Sequence, residues 1–164
     1  MKMLKITPER CTHCMLCELA CSYVQNGSFQ PSQSVIKVQM FDNLAIYAPY
    51  TCFQCAEAWC MTACPVNAIT IHPETGAKVV LGPACVGCKL CVIACPFGTA
   101  FYNPDTGKAT KCTLCDGDPA CARACPTAAI EWTEVTGRAP WLEPWADRTN
   151  DVARRQAALT GVRG

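Results

Sequence analysis

The chain has 164 residues, enough for one domain or two very small ones. A formal net charge of +1 without a basic run excludes nucleic acid as the main partner, and no stretch approaches the ~18 consecutive apolar residues of a membrane span. About half of the residues are hydrophobic, but that share counts sixteen cysteines, and the remaining Ile, Val, Leu and Phe make a thin core that needs disulfide or metal staples.

The opening "MKMLKITPER" has no apolar h-region, no twin arginine and no small-residue cleavage site, which points to a cytoplasmic chain. Thiols stay reduced there, so clustered cysteines are read as metal ligands before disulfides. "KMLKIT" has the pattern of a strand. The cysteines then fall into four quartets: Cys11, Cys14, Cys17, Cys21; Cys52, Cys55, Cys60, Cys64; Cys85, Cys88, Cys91, Cys95; and Cys112, Cys115, Cys121, Cys125. The first and third have the spacing C-x2-C-x2-C-x3-C, and the second and fourth widen the middle gap. Three of the quartets end in Cys-Pro, at Pro65, Pro96 and Pro126.

In this pattern three close thiolates wrap three corners of an iron–sulfur cube, and the fourth, before proline, reaches a different cube. Zinc sites instead use two C-x2-C pairs set a dozen or more residues apart, because a tetrahedral ion is gripped from two sides. Four [4Fe–4S] clusters are therefore the expected cofactors.

The segment between Cys64 and Cys85 reads as a strand (Ala68–Ile71), a turn (Pro73–Gly76) and a return strand (Lys78–Leu81), the hairpin found between the halves of a bacterial two-cluster ferredoxin. Quartets two and three then form an inner unit, about residues 48–95, with clusters on Cys52, Cys55, Cys60 and Cys95 and on Cys85, Cys88, Cys91 and Cys64. Quartets one and four close an outer unit, about 1–47 plus 96–133, between the strands "KMLKIT" and "AAIEWT". Its clusters are expected on Cys11, Cys14, Cys17 and Cys125 and on Cys112, Cys115, Cys121 and Cys21. The rival pairing, one with two and three with four, has to bridge 30 residues and then only 16. The fold class is α+β: two nested bacterial-ferredoxin-like units of two clusters each, with short helices, small antiparallel hairpins and a C-terminal extension.

Four cubes in sequence form a wire with two ends. No G-x-G-x-x-G, no G-x-x-x-x-G-K-[ST] and no C-x3-C-x2-C run is present, so no substrate chemistry and no catalytic residue is expected on this chain. Gly87 either lets the backbone approach a sulfur or simply makes a turn. His13 either bonds a sulfur or faces solvent from a loop. Lys89, Lys111, Arg10 and Arg123 lie beside ligands. Four cubes of roughly −2 each would take the formal +1 to about −7, so these cations either offset cluster charge or belong to ordinary solvated surface. Ile69, Ile71, Val79, Val80, Ile93, Phe97 and Ile130 are expected to sheathe the cubes.

Residues 134–164 form a cysteine-free extension, expected to make subunit contacts. Trp141 and Trp145 each follow a proline, and Asn150 is placed to cap a short helix from Asp151 to about Thr160, closed by Gly161. The tryptophans are read as interface anchors or as covers for the chain's own cubes.

The four quartets, "CFQCAEAWCMTACPVNAI" and the proline-free Cys21-Ser22 resemble the four-cluster, ferredoxin-like electron-transfer subunits of molybdenum or tungsten oxidoreductases, formate dehydrogenases and related hydrogenases. The resemblance covers roughly residues 1–132, and the small size is most similar to the iron–sulfur subunit of tungsten-dependent aldehyde oxidoreductases. It implies the nested pairing, a molybdenum or tungsten pterin catalytic subunit as partner, and anaerobic metabolism. A flavin- or nicotinamide-linked subunit, a ferredoxin or further copies of the chain are candidate carriers. The alternatives are a free polyferredoxin or the electron-transfer subunit of a hydrogenase or carbon monoxide dehydrogenase.

Overall fold

Among the residues described by the computed structural model, 2–41 and 46–134, eight short strands pair two by two into antiparallel ribbons. In chain order the elements are β1 (Lys2–Ile6), α1 (Leu16–Asn26), β2 (Lys37–Phe41), β3 (Ile46–Tyr50), α2 (Trp59–Thr62), β4 (Ile69–Ile71), β5 (Lys78–Val80), α3 (Leu90–Ala94), β6 (Phe101–Asn103), β7 (Lys108–Thr110), α4 (Ala120–Arg123) and β8 (Ile130–Glu134). Single 3-10 turns lie at Pro8–Arg10, Pro31–Gln33 and Leu114–Gly117. The tail readings at Trp141, Trp145, Asn150 and 151–160 lie outside the described residues.

The prolines set the helix lengths. A residue before proline is steered out of the α region, and α2, α3 and α4 stop at or just before Cys64, Cys95 and Cys125 after 4, 5 and 4 residues. Cys21 is followed by Ser22, so α1 continues for 11 residues and closes on Gly27 at φ 70°, whose N–H bonds the Tyr23 carbonyl at 2.7 Å. Ser22 is fully buried, donates to the Leu19 carbonyl at 2.9 Å and accepts from the Gln30 N–H at 3.1 Å.

The ribbon β4–β5 falls inside the expected hairpin, and a bond from the Leu81 N–H to the Ala68 carbonyl extends it one step. Its turn recurs between β6 and β7. "HPETG" and "NPDTG" each end on a left-handed glycine, Gly76 and Gly107, and each glycine N–H returns 2.9 Å to the carbonyl of His72 or Asn103. β1 pairs with β8 from Lys2–Glu134 to Ile6–Ile130, which brings the start of the chain beside residues 130–134.

The larger core joins Val35, Ile36, Leu114 and Ile130 to Cys17, Cys21, Cys112 and Cys121; a smaller one holds Ala68, Ile69, Cys85, Cys91 and Ala109. Of the expected sheath, Ile69 and Ile130 are buried and Val79, Val80 and Phe97 are half-buried. Ile71 and Ile93 correct the expectation, being 58% and 78% exposed. β4 leaves the core as it runs outward from Ile69, and Ile93 stands about 200° around α3 from the buried Cys91.

Candidate metal centres

The quartets surround cavities. Cys11, Cys14, Cys17 and Cys125 line one of about 270 Å³, part of it open to solvent, and Cys52, Cys55, Cys60 and Cys95 line another of about 360 Å³. Burial raises the Cys121 thiol, and its neighbours Cys112, Cys21 and Cys115 add to the effect. Burial likewise raises Cys91, among Cys85, Cys64 and Cys88. Two of the expected sets thus line one cavity each, while Cys121 feels Cys17 besides Cys112, Cys21 and Cys115, and Cys91 feels Cys60 besides Cys85, Cys64 and Cys88. Among the described residues, no three His, Cys, Asp or Glu side chains converge as around one bare ion.

Backbone geometry at the quartets repeats. The residue before each second cysteine has positive φ: His13 57°, Gln54 50°, Gly87 72° and Leu114 59°. The third residue after each Cys-Pro cysteine does the same, at Asn67, Gly98 and Ala128. A left-handed residue within such a turn directs successive N–H groups to one side and makes a concavity for an anion. The thiolates receive donors as well: the Ala68 N–H lies 3.2 Å from Cys64 Sγ and the Ala109 N–H lies 3.5 Å from Cys85 Sγ. Thr99 and Thr127 hydroxyls lie 3.5 Å and 3.8 Å from the sulfurs of Cys95 and Cys125.

These donors divide the cysteines. Burial works against ionisation at Cys95 and Cys125, yet hydrogen bonds from Thr99, Phe97 and Ala100, and from Ile130, Thr127 and Ala129, outweigh it and lower both thiols. At Cys17 burial prevails, aided by Glu18, and pushes the thiol up to about 12; Cys112 is pushed up to about 11, again mainly by burial. Such thiols hold their protons until a metal displaces them. Trp132, packed against the core that holds Cys17, Cys21, Cys112 and Cys121, keeps a buried indole N–H without a partner among the described residues. Soft thiols in fours, inward N–H groups and an orphan donor fit an anionic iron–sulfur cube with acceptor sulfides.

The residues singled out beside the ligands part company. Lys111 is buried. Lys89 is exposed, with its ammonium 4.2 Å from the centre of the Tyr102 ring, Arg123 pairs with Asp118 at the surface, and Arg10 is exposed. His13 is exposed and stacks on Tyr47, ring centres 4.1 Å apart. At Gly87 a Cβ would collide with the Gly107 carbonyl oxygen, so the close approach is to a neighbouring turn. The spacing did not reveal Gln54, Lys78, Glu18 or Thr99, which touch the quartets or their supports. The repeated P-x-T-G turns were a usable signal for the β6–β7 ribbon.

Cysteine-lined cavities between short ribbons define a small iron–sulfur electron-transfer protein. The chain belongs to the 4Fe-4S dicluster domain family, which matches residues 44–135; a 4Fe-4S binding domain also matches residues 8–24. It is 39% identical over 157 residues to the aliphatic sulfonate oxidoreductase, polyferredoxin-like subunit of Pyrococcus furiosus, covering 92% of this chain and 90% of that one. An iron-sulfur protein of Rhodospirillum rubrum is 33% identical over 155 residues, with 78% and 80% covered. The thiosulfate reductase electron transfer subunit PhsB of Salmonella typhi is 30% identical over 167 residues, with 94% and 85% covered. This chain is likewise an iron–sulfur electron-transfer component of an oxidoreductase and does not catalyse by itself. Among the described residues, no helix is long and apolar enough to cross a membrane.

Proposed function

We propose that the chain holds four [4Fe–4S] clusters in a line and conducts electrons between a catalytic subunit and a second redox carrier. The ligand sets are Cys11, Cys14, Cys17 and Cys125; Cys112, Cys115, Cys121 and Cys21; Cys52, Cys55, Cys60 and Cys95; and Cys85, Cys88, Cys91 and Cys64. Bound clusters supply single-electron exchange with little rearrangement.

One observation carries the order. Three pairs of cysteines reach across quartets: Cys17 acts on Cys121, Cys52 on Cys112, and Cys60 on Cys91. These neighbours support the end-to-end sequence of sets just given. The two exposed ligands, Cys14 and Cys88, belong to the two terminal sets. The chain's own work is to hold thiolates at fixed spacing, aim N–H groups at them and keep water from the set of Cys112, Cys115, Cys121 and Cys21, in which Cys21, Cys112 and Cys121 are buried.

The catalytic partner is a molybdenum or tungsten pterin subunit, an aldehyde oxidoreductase on the likeness of this small chain to the iron–sulfur subunit of such enzymes, working in the cytoplasm in anaerobic metabolism. The subunits of aliphatic sulfonate oxidoreductase and thiosulfate reductase among its relatives support an oxidoreductase partner. The far end would deliver to a flavin- or nicotinamide-linked subunit, a ferredoxin or another copy of the chain. The experiment is elemental analysis of the tagged chain, recovered from its native host without oxygen. About sixteen irons per chain with tungsten or molybdenum is the expected result. Nickel in their place would point to a hydrogenase or carbon monoxide dehydrogenase, and iron without partner bands to a free carrier.

A further inference from the structure

Lys111 follows β7 and directly precedes Cys112. It is 3% exposed, and with Lys78 it lines the cavity of Cys52, Cys55, Cys60 and Cys95. Its Nζ donates to the Lys78 carbonyl at 2.7 Å, and among the described residues it takes part in no ion pair with a carboxylate. The Lys78 Nζ in turn donates to the Gln54 carbonyl at 3.2 Å. A buried ammonium is costly unless a negative charge balances it. The anionic group offered by this cavity is the thiolate set with its cluster.

The first-quartet cavity is built differently. Among the described residues, no charged side chain lines it. Glu18, itself 3% exposed, sits beside Cys17, accepts the Val38 N–H at 2.6 Å and lies 3.8 Å from Lys37 Nζ. A fixed cation favours the more negative, reduced cluster and raises its potential, whereas a fixed anion does the opposite.

We infer that Lys111 is a potential-setting residue whose buried charge holds the cluster of Cys52, Cys55, Cys60 and Cys95 above that of Cys11, Cys14, Cys17 and Cys125. The inference rests on the four-cluster reading. The resulting profile places an electron-holding site in the interior of the line and keeps the first-quartet end reducing.

The test is a redox titration of the full chain in its native complex, followed by electron paramagnetic resonance, with iron counted in every sample. Three variants are compared: Lys111→Met, which removes the charge; Lys111→Gln, which removes it but keeps a donor for the Lys78 carbonyl; and Lys111→Arg, which keeps it. The expected result is one midpoint moved to lower potential in Met and Gln, with the wild-type value restored in Arg. Should Lys111→Met fail to retain iron, Lys111→Gln decides by the same measurement. Unmoved midpoints in an uncharged variant with full iron would overturn the inference and leave the four-cluster reading intact. A wild-type chain with far fewer than about sixteen irons would overturn the four-cluster reading and this inference with it.

Discussion

Gln54 ties the second quartet to the fourth: its Nε2 donates to the Cys112 carbonyl at 2.8 Å, and its Oε1 accepts the Lys78 N–H at the same distance. It stands at φ 50° between Phe53 and Cys55, so one residue shapes a ligand loop and fastens it to a neighbouring one. Replacing Gln54 by leucine leaves the part-buried Cys112 carbonyl and Lys78 N–H without these partners. Each is expected to cost about 1–3 kcal/mol. Thermal release of iron from the purified complex, followed by visible absorbance, should begin at lower temperature than in wild type; an unchanged curve would refute the tie.

Gly87 offers a sharper steric test. Its φ of 72° already disfavours a side chain, and a Cβ there would meet the Gly107 carbonyl oxygen. Gly98, at φ 63°, has nothing within 4 Å of its Cβ position. Gly98→Ala should cost only the left-handed strain of about 1–2 kcal/mol. Gly87→Ala must also displace the β6–β7 turn, so it is expected to lose the iron of one cluster. Iron per chain in the two variants separates strain from collision.

Thr99 points its hydroxyl at Cys95 Sγ from 3.5 Å and is itself buried. Donors to sulfur stabilise the reduced form of a cluster. Thr99→Val keeps the shape and removes the donor, so one midpoint should fall while thermal stability changes little. Thr99→Ser should keep the potential.

Removal of iron should dismantle the fold, because four thiols, Cys17, Cys21, Cys112 and Cys121, make up much of the larger core. Far-ultraviolet circular dichroism after chelation under reductant is expected to lose most of its signal. Whatever fold survives without metal should weaken at high pH. Cys17 and Cys112 stand at about 12 and about 11 in the folded chain against an ordinary 9.0, so the folded state binds protons that the unfolded chain has released. Their contribution is present below about pH 9 and lost as pH rises from there toward 12. Urea titrations of the metal-free chain at neutral pH and above pH 9 check this. The loaded protein, its thiols already deprotonated, should show no fall from these groups.

Much of the site was legible because cube ligation is local chemistry. A cysteine three residues from the next can share a metal core with it wherever the loop lies, so the four quartets and the stops at Cys64, Cys95 and Cys125 stand in the bare chain. The β4–β5 ribbon was legible for the same reason: Pro73 and Gly76 determine its turn from within. Local order did not determine which cation is buried. Lys89, Lys111, Arg10 and Arg123 look alike in sequence, yet only Lys111 is enclosed, because the turn into the fourth quartet is packed beneath β5 by Gln54 and Lys78. Nor did spacing show that Ile93 faces outward, or that Gly87 is needed by a turn twenty residues on. The sequence by itself determined the metal chemistry and its repeat, because ligand type and spacing act over a few bonds. Only the tertiary structure decided which cation is enclosed and which side chains are buried beside the cysteines, because burial and charge act through space between segments far apart in the chain.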